Sequence, residues 1–335
     1  MQSVQLRFAG HSFLMKAAGI VVALAATGPS TIPAAHAQDV YPSKNIKFIV
    51  PLAPGGAIDF VARAVGEYLT KTMGQPVIVE NRTGAGGTVG MDGAMRSPPD
   101  GYTVLITNDN AASAPHVLKL PHDYTKELEP VIYLSRQPQV MAVHPSLGAK
   151  TVAELIAKAK SSPDLTYATS GFGTNQHVIG EWFAREAGVA LKPVHYRGAG
   201  AAINDLVGGH VKIAWLGPTA TVPHFRAGTL GLVAQSSATR APYIAEVPTV
   251  EQAGFKGMVL EAWYAAFVPK GTPAAIIARL NAEMAKAVAD PAMKVSFEKG
   301  SMEGVGGSPA DLGKIAREDS VKYERLVREL NIKGN

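Results

Sequence analysis

Three times in this sequence a short strand-like run stops at a glycine-rich turn that opens into a helix. The three junctions are Pro54-Gly55-Gly56-Ala57, Ser170-Gly171-Phe172-Gly173-Thr174 and Arg197-Gly198-Ala199-Gly200. Such alternation of strand and helix predicts an α/β protein with largely parallel sheets covered by helices. The first unit runs from a strand over Asn45 to Leu52 into a helix whose Ile58, Val61, Ala62, Val65 and Leu69 share one face, with a stop at Gly74. Pro76 to Glu80 and Thr103 to Thr107 read as further strands. Between them lie a helix over Thr88 to Met95 and a turn at Pro98-Pro99-Asp100-Gly101.

The pattern repeats in a second block. Strands are expected over Val140 to Val143, Leu165 to Thr169, Pro193 to Tyr196 and Val211 to Leu216. The helices between them run from Val152 to Lys160, from about Thr174 to Ala187, and from Ala201 to Val207. Thr151 and Glu154 have the spacing of a capping box at the first of these. A strand over Ala262 to Val268 follows, then a helix opened by Thr272-Pro273 and a last one from Ser308-Pro309-Ala310-Asp311 to about Leu330. Two α/β blocks and a returning strand suit two lobes with a cleft between them. One lobe takes 38–138 plus about 262–335, and the other about 139–261.

The first 37 residues read as a secretory signal peptide. Arg7 and Lys16 precede any acid, Ala17 to Ala26 is apolar, and Ala35 and Ala37 stand at −3 and −1 of a cleavage site after Ala37. An apolar run of about ten residues is half of what a membrane-spanning helix needs. The expected location is therefore the periplasm, as a soluble protein. Cysteine is absent, which excludes disulfides, a lipidated anchor, thiolate metal sites and a thiol nucleophile. The formal charge of +5, without runs of Lys or Arg, argues against nucleic-acid binding.

In open α/β sheets ligands bind beyond the carboxyl ends of strands, where the three glycine-rich junctions lie. Each following helix offers unpaired N–H groups and the positive end of its dipole, which suits an anion without any Lys or Arg. Asp59, in the first turn of its helix, either pairs with that dipole or faces the cleft. Enzymatic patterns are incomplete. Gly84-Ala85-Gly86-Gly87-Thr88-Val89 has valine where a dinucleotide loop needs its third glycine, and no GxxxxGK[ST] or GxSxG is present. His177 and Glu181 share a helical face, but no third ligand and no HExxH accompany them. The expectation is no cofactor, no metal and no catalysis.

The chain resembles the periplasmic receptors of tripartite tricarboxylate transporters, the TctC or Bug family. The resemblance rests on motifs in order along the chain. They are PGGAIDFVAR at Pro54, VENRTGAGG at Val79, PDGYT at Pro99, TVAELIAKAK at Thr151, ATSGFGTNQH at Ala168, VHYRGAGAAINDLVGGHV at Val194, PHFRAGTL at Pro223, VPTVEQAG at Val247 and PKGTP at Pro269. It implies a two-lobed, Venus-flytrap fold of the type II-like periplasmic-binding-protein kind. The implied ligand is a di- or tricarboxylate, an acidic amino acid or an aromatic carboxylate. By motif, Gly55, Gly56, Ala57 and Asp59 would meet it from one lobe, and Ser170, Gly171, Gly173, Thr174 and Asn175 from the other. Thr107, Asn108, Gly198 and Trp215 are expected on the cleft wall. The resemblance also implies a monomer that hands its ligand to a permease of one large and one small membrane subunit. A sensing receptor for a membrane kinase and a Rossmann-type oxidoreductase are the rival readings. Lys212 stands where the family often has an acid, and Trp215-Leu216 replaces its Phe-Asp. A tryptophan presented to the cleft would favour a larger, aromatic acid.

Overall fold

The computed structural model describes residues 41–332, and the expected signal peptide lies outside the described residues. These residues belong to a single unit. The chain begins with β1 (Ile46–Val50), α1 (Ala57–Met73), β2 (Val77–Asn81), α2 (Thr88–Met95), β3 (Thr103–Asn108), α3 (Asn110–Val117), α4 (Tyr124–Glu127) and β4 (Leu128–Pro138). A single residue, Gln139, separates β4 from the next strand. There follow β5 (Val140–Val143), α5 (Val152–Ser161), β6 (Thr166–Thr169), α6 (Asn175–Ala187), β7 (Lys192–His195), α7 (Ala199–Val207), β8 (Ile213–Leu216), α8 (Pro218–Arg226) and β9 (Gly231–Gln235). The chain closes with β10 (Glu261–Pro269), α9 (Ala274–Ala289), α10 (Pro291–Lys299), β11 (Glu303–Gly306) and α11 (Pro309–Glu329).

Two sheets result, in the order β11-β4-β10-β3-β1-β2 and β7-β6-β8-β5-β9. Each is the centre of one lobe. The expectation of largely parallel sheets needs correction. β1 pairs parallel with β2 and β3, and β6 with β7 and β8. However, β10 runs antiparallel to both β3 and β4, β11 antiparallel to β4, and β5 antiparallel to β8 and β9. The reason is the crossing between lobes. β4 leaves the first sheet directly into β5, and β10 brings the chain back beside β4, so the two must point in opposite directions.

Local signals work where they are self-contained. Ser308 and Asp311 form a complete capping box at α11. At α5 only half of the expected box forms. Thr151 Oγ1 accepts from the Glu154 N–H at 3.2 Å, while the Glu154 carboxylate accepts from the Lys150 N–H, one residue earlier than the box requires. The core has three parts. Ile46, Phe48 and Val50 of β1 pack with α1 and α9. Val140, Ala142, Ala214 and Leu216 pack with α7. The third part joins the lobes, with Trp263 and Phe267 beneath the first sheet and Phe183 and Trp215 beneath the second. Ile213 and Trp215 face this shared core while Ala214 and Leu216 face the other, which is strand alternation.

Candidate functional site

At the end of β1 the chain turns at Gly55, whose φ of +86° lies in the left-handed region. Gly56 then caps α1 without any side-chain hydrogen bond. Asp59, in the first turn, is wrapped by its own protein. Its Oδ2 accepts from the Gly55 N–H at 3.1 Å and from Arg63 Nε at 3.0 Å. Its Oδ1 accepts from Arg63 Nη2 at 2.9 Å and from Asn81 Nδ2 at 3.0 Å. Burial would raise its pKa, but the hydrogen bonds from Arg63, Gly55 and Asn81 outweigh that and hold it below the usual range. The carboxylate thus fixes the loop that precedes α1. Asp59→Asn is expected to destabilise the protein by about 1–2 kcal/mol at pH 7, measured by urea denaturation. Because the folded pKa is depressed, that contribution is in place above about pH 4 and fades as the acid protonates below it.

Opposite this loop stand three helices of the second lobe. Ser170 precedes α6 and donates from Oγ to Gln176 Oε1 at 2.7 Å, and Gln176 Nε2 donates to Gln139 Oε1 at 3.0 Å. Gly198 caps α7 and Gly217 caps α8, with Pro218 at the first helical position. A Cβ on Gly198, whose φ is +128°, would stand 3.3 Å from the Ala53 Cβ of the first lobe, so the Gly198 backbone packs closely against Ala53 here. A cavity of about 30 Å³ lies between the two lobes. Leu52, Ala53, Gly56, Ala57, Asp59, Asn108, Gln137 and Tyr264 line it from the first lobe and the strands that cross. Ser170, Gln176, Gly198, Ala199, Gly217, Thr219 and Ala220 line it from the second.

Its electrostatics are unusual for an anion site in having no cationic side chain in the wall. No Lys, Arg or His lines it. Its one carboxylate is the clamped Asp59, and burial pushes the Tyr264 phenol up, so that group stays neutral. The positive potential comes from backbone instead. The N-termini of α1, α7 and α8 line the cavity, and none is capped by a side chain. Each leaves N–H groups and a positive dipole end to be satisfied. Gln137, Thr219 and Tyr264 form a neutral hydrogen-bonding wall. Gln137 Nε2 donates to the Tyr264 hydroxyl, and Thr219 Oγ1 lies 2.9 Å from Gln137 Oε1 and 2.6 Å from the Gly300 carbonyl.

The residues singled out from sequence fall into four groups. Gly56, Ala57, Asp59, Asn108, Ser170 and Gly198 line the cavity. Gly55, Gly173, Thr174 and Asn175 lie behind it, and several of their polar groups have other partners, although Asn175 Oδ1 is buried without one. The Gly173 N–H donates to His177 Nδ1 at 3.4 Å, Thr174 Oγ1 donates to the Gly171 carbonyl at 2.7 Å, and Asn175 Nδ2 donates to Asp109 Oδ1 at 3.1 Å. Gly171 lines an adjoining cavity. Thr107 and Trp215 need correction. Thr107 is fully buried with its hydroxyl against Met91 Sδ, because strand alternation turns Asn108 and not Thr107 to the cleft. Trp215 is fully buried against Phe183, at 6.1 Å between ring centroids, for the same reason. The aromatic preference expected from a cleft-facing tryptophan loses its basis.

His177 and Glu181 do not act as a pair. Glu181 accepts from the Tyr167 hydroxyl at 2.8 Å, while His177 packs against His195. Burial, with His195 beside it, pushes His177 down to about 3. Among the described residues no group of three His, Cys, Asp or Glu is placed to hold a metal. Sequence reasoning missed Gln137, Tyr264, Thr219 and Ala220. Gln137 and Tyr264 lie on the crossing strands, which no local pattern marks as ligand-facing. Gly217-Pro218 after a strand was a usable sign of another helix start.

A family model described as the tripartite tricarboxylate transporter family receptor matches residues 61–332. Protein BugT of Bordetella pertussis is 32% identical over 96% of this chain and 98% of its own length. The R. palustris protein Rpa4515, solved with adipate, superposes with a TM-score of 0.84 at 28% identity, covering 88% of this chain and 99% of that one. MatC from Rhodopseudomonas palustris, solved with bound malate, gives 0.82 at 29% identity over 86% of this chain and 100% of that one.

Proposed function

Because the chain belongs to the tripartite tricarboxylate transporter receptor family, whose members are periplasmic substrate-binding receptors and not enzymes, we propose that it captures a small carboxylate by closing its two lobes. The observation that carries this reading is the convergence of three uncapped helix N-termini on a cavity without a cationic side chain among the described residues. Backbone N–H groups and dipoles of that kind favour a carboxylate over a neutral or cationic solute. The lobes are 38–138 with about 262–335, and about 139–261. Gly56, Ala57, Asn108, Ser170, Gly198 and Ala199 would surround the bound group. Asp59, Gly55, Gly171, Gly173, Thr174 and Asn175 would shape the loops around it. Malate and adipate, carried by the two R. palustris neighbours, are the first candidates to try. A signal peptide cleaved after Ala37 would deliver a monomer to the periplasm. Handover would be to a membrane permease of a large and a small subunit.

A thermal-shift and calorimetric screen of the mature protein tests the reading. Malate, adipate, citrate, phthalate and glutamate are compared with NAD(P). A carboxylate present at a thousand times its Kd is expected to add about 4 kcal/mol to folding stability and to raise Tm accordingly. A shift with a dinucleotide and with none of the carboxylates would overturn it.

A further inference from the structure

The cavity of about 30 Å³ between the lobes is small for a whole ligand. One water needs roughly 10–15 Å³ on this measure, so the space matches a single carboxylate group and little besides. The remainder of any ligand has to lie elsewhere. A second cavity of about 370 Å³ adjoins the first, sharing Leu52 and Ser170 as common wall, and is likewise formed between the lobes. Its first-lobe side is the run Thr83 to Gly87, the glycine-rich stretch that is not a dinucleotide loop. Its second-lobe side includes Phe172, Tyr196 and Arg197. Gly86 explains the glycines. A Cβ there would stand 2.4 Å from the Phe172 carbonyl oxygen, so only a bare backbone lets this wall close.

Among the described residues Arg197 is the single cationic one lining either cavity, and no Asp or Glu lines the second. Its side chain pairs with no carboxylate among the described residues. We propose that Arg197 is a specificity-determining residue, forming a second anionic subsite in the outer cavity for ligands that carry a further carboxylate beyond the one held by the helix N-termini. The inference rests on the carboxylate-receptor reading above. The inner group is received by backbone and carries little chain-length information. The outer group meets a guanidinium, whose planar fork matches a carboxylate. The site therefore distinguishes a diacid from a monoacid of the same length at Arg197, and nowhere in the inner cavity.

The test is calorimetry with paired probes, succinate against butyrate and adipate against hexanoate, on the wild type, Arg197→Gln and Arg197→Lys. The diacid of each pair is expected to bind more tightly to the wild type. Arg197→Gln should weaken the diacids roughly tenfold while leaving the monoacids unchanged, and Arg197→Lys should restore part of the loss. Circular dichroism and Tm confirm that the exposed substitution leaves the fold intact. An equal loss for monoacids and diacids, or no loss for either, overturns the subsite while the receptor reading stands. Failure of every acid to bind the wild type would overturn both.

Discussion

Ala199→Asp is expected to lower carboxylate affinity by about a hundredfold or more, with no loss of folding stability. Ala199 opens α7, whose first turn carries no acid, and it lines the cavity. An aspartate at that position is favourable to the helix by about 0.3–1 kcal/mol, since it meets the positive end of the dipole. The same carboxylate would occupy the space proposed for the ligand's own, and like charges in close contact cost several kcal/mol. At about 1.4 kcal/mol for each factor of ten, two decades is the lower bound. Few substitutions separate the two quantities so cleanly, because damage to the fold would lower both. Calorimetry with malate and adipate reads the affinity, and urea denaturation reads the stability. Wild-type affinity in a stable Ala199→Asp protein would mean that the anion is not received at the start of α7. Ala199→Ser serves as the steric control and should bind within a few-fold of wild type.

The second large effect lies in the pH dependence of stability and belongs to Asp109. Its carboxylate is fully buried between the lobes. Asn175 Nδ2 from α6 donates to Oδ1, and the Tyr323 hydroxyl from α11 donates to Oδ2. No cation faces it. The titratable groups around it are Tyr323 and Asp319 on α11, Tyr264 on β10 and Tyr133 on β4. Burial pushes the carboxyl up to about 8; the Tyr323 hydrogen bond works against the shift and Asp319 adds to it. The unfolded chain releases this proton near pH 4. Between about pH 4 and 8 the folded protein holds a proton that the unfolded one has lost, so this group's contribution falls as pH rises and levels off above pH 8. The total is on the order of several kcal/mol.

Asp109→Asn removes that slope. The new amide has an acceptor at hand, because Asn175 Oδ1 is buried without a partner and needs only a rotation of its amide to receive the hydrogen. The stability of Asp109→Asn relative to wild type should therefore increase steadily from pH 4 to 8, with the variant the more stable at pH 8. Denaturation curves at one-unit pH intervals measure this, and parallel profiles for the two proteins would refute it. Asp59 gives an internal contrast. Its pKa is depressed by Arg63, Gly55 and Asn81 despite burial, so its contribution disappears on acidification. Two buried aspartates thus respond in opposite directions, according to whether a guanidinium stands beside them.

Much of the first-lobe half of the site was legible because its determinants are local. Gly55-Gly56 followed by a helical apolar face is contained in about fifteen residues, and it folds into an uncapped N-terminus wherever the chain runs. Ser170 and Gly198 were legible for the same reason. Thr107 and Trp215 were misplaced because nearness to a strand's end does not say which face a side chain takes. That depends on register, and one residue reverses it. Trp215 sits opposite Met141 in the ladder with β5, and that pairing turns the indole to the shared core. The antiparallel strands were missed for a related reason: β4 and β10 pair across more than a hundred residues of intervening chain.

By itself, then, the amino-acid sequence determined the α/β composition and the glycine-rich helix starts, since each follows from neighbours along the chain. Only the tertiary structure decided that three such starts converge, that Gln137, Thr219 and Tyr264 complete their wall, and that Arg197 stands beside a second cavity. Those facts arise where two lobes meet, between residues whose spacing in the chain carries no information about their spacing in space.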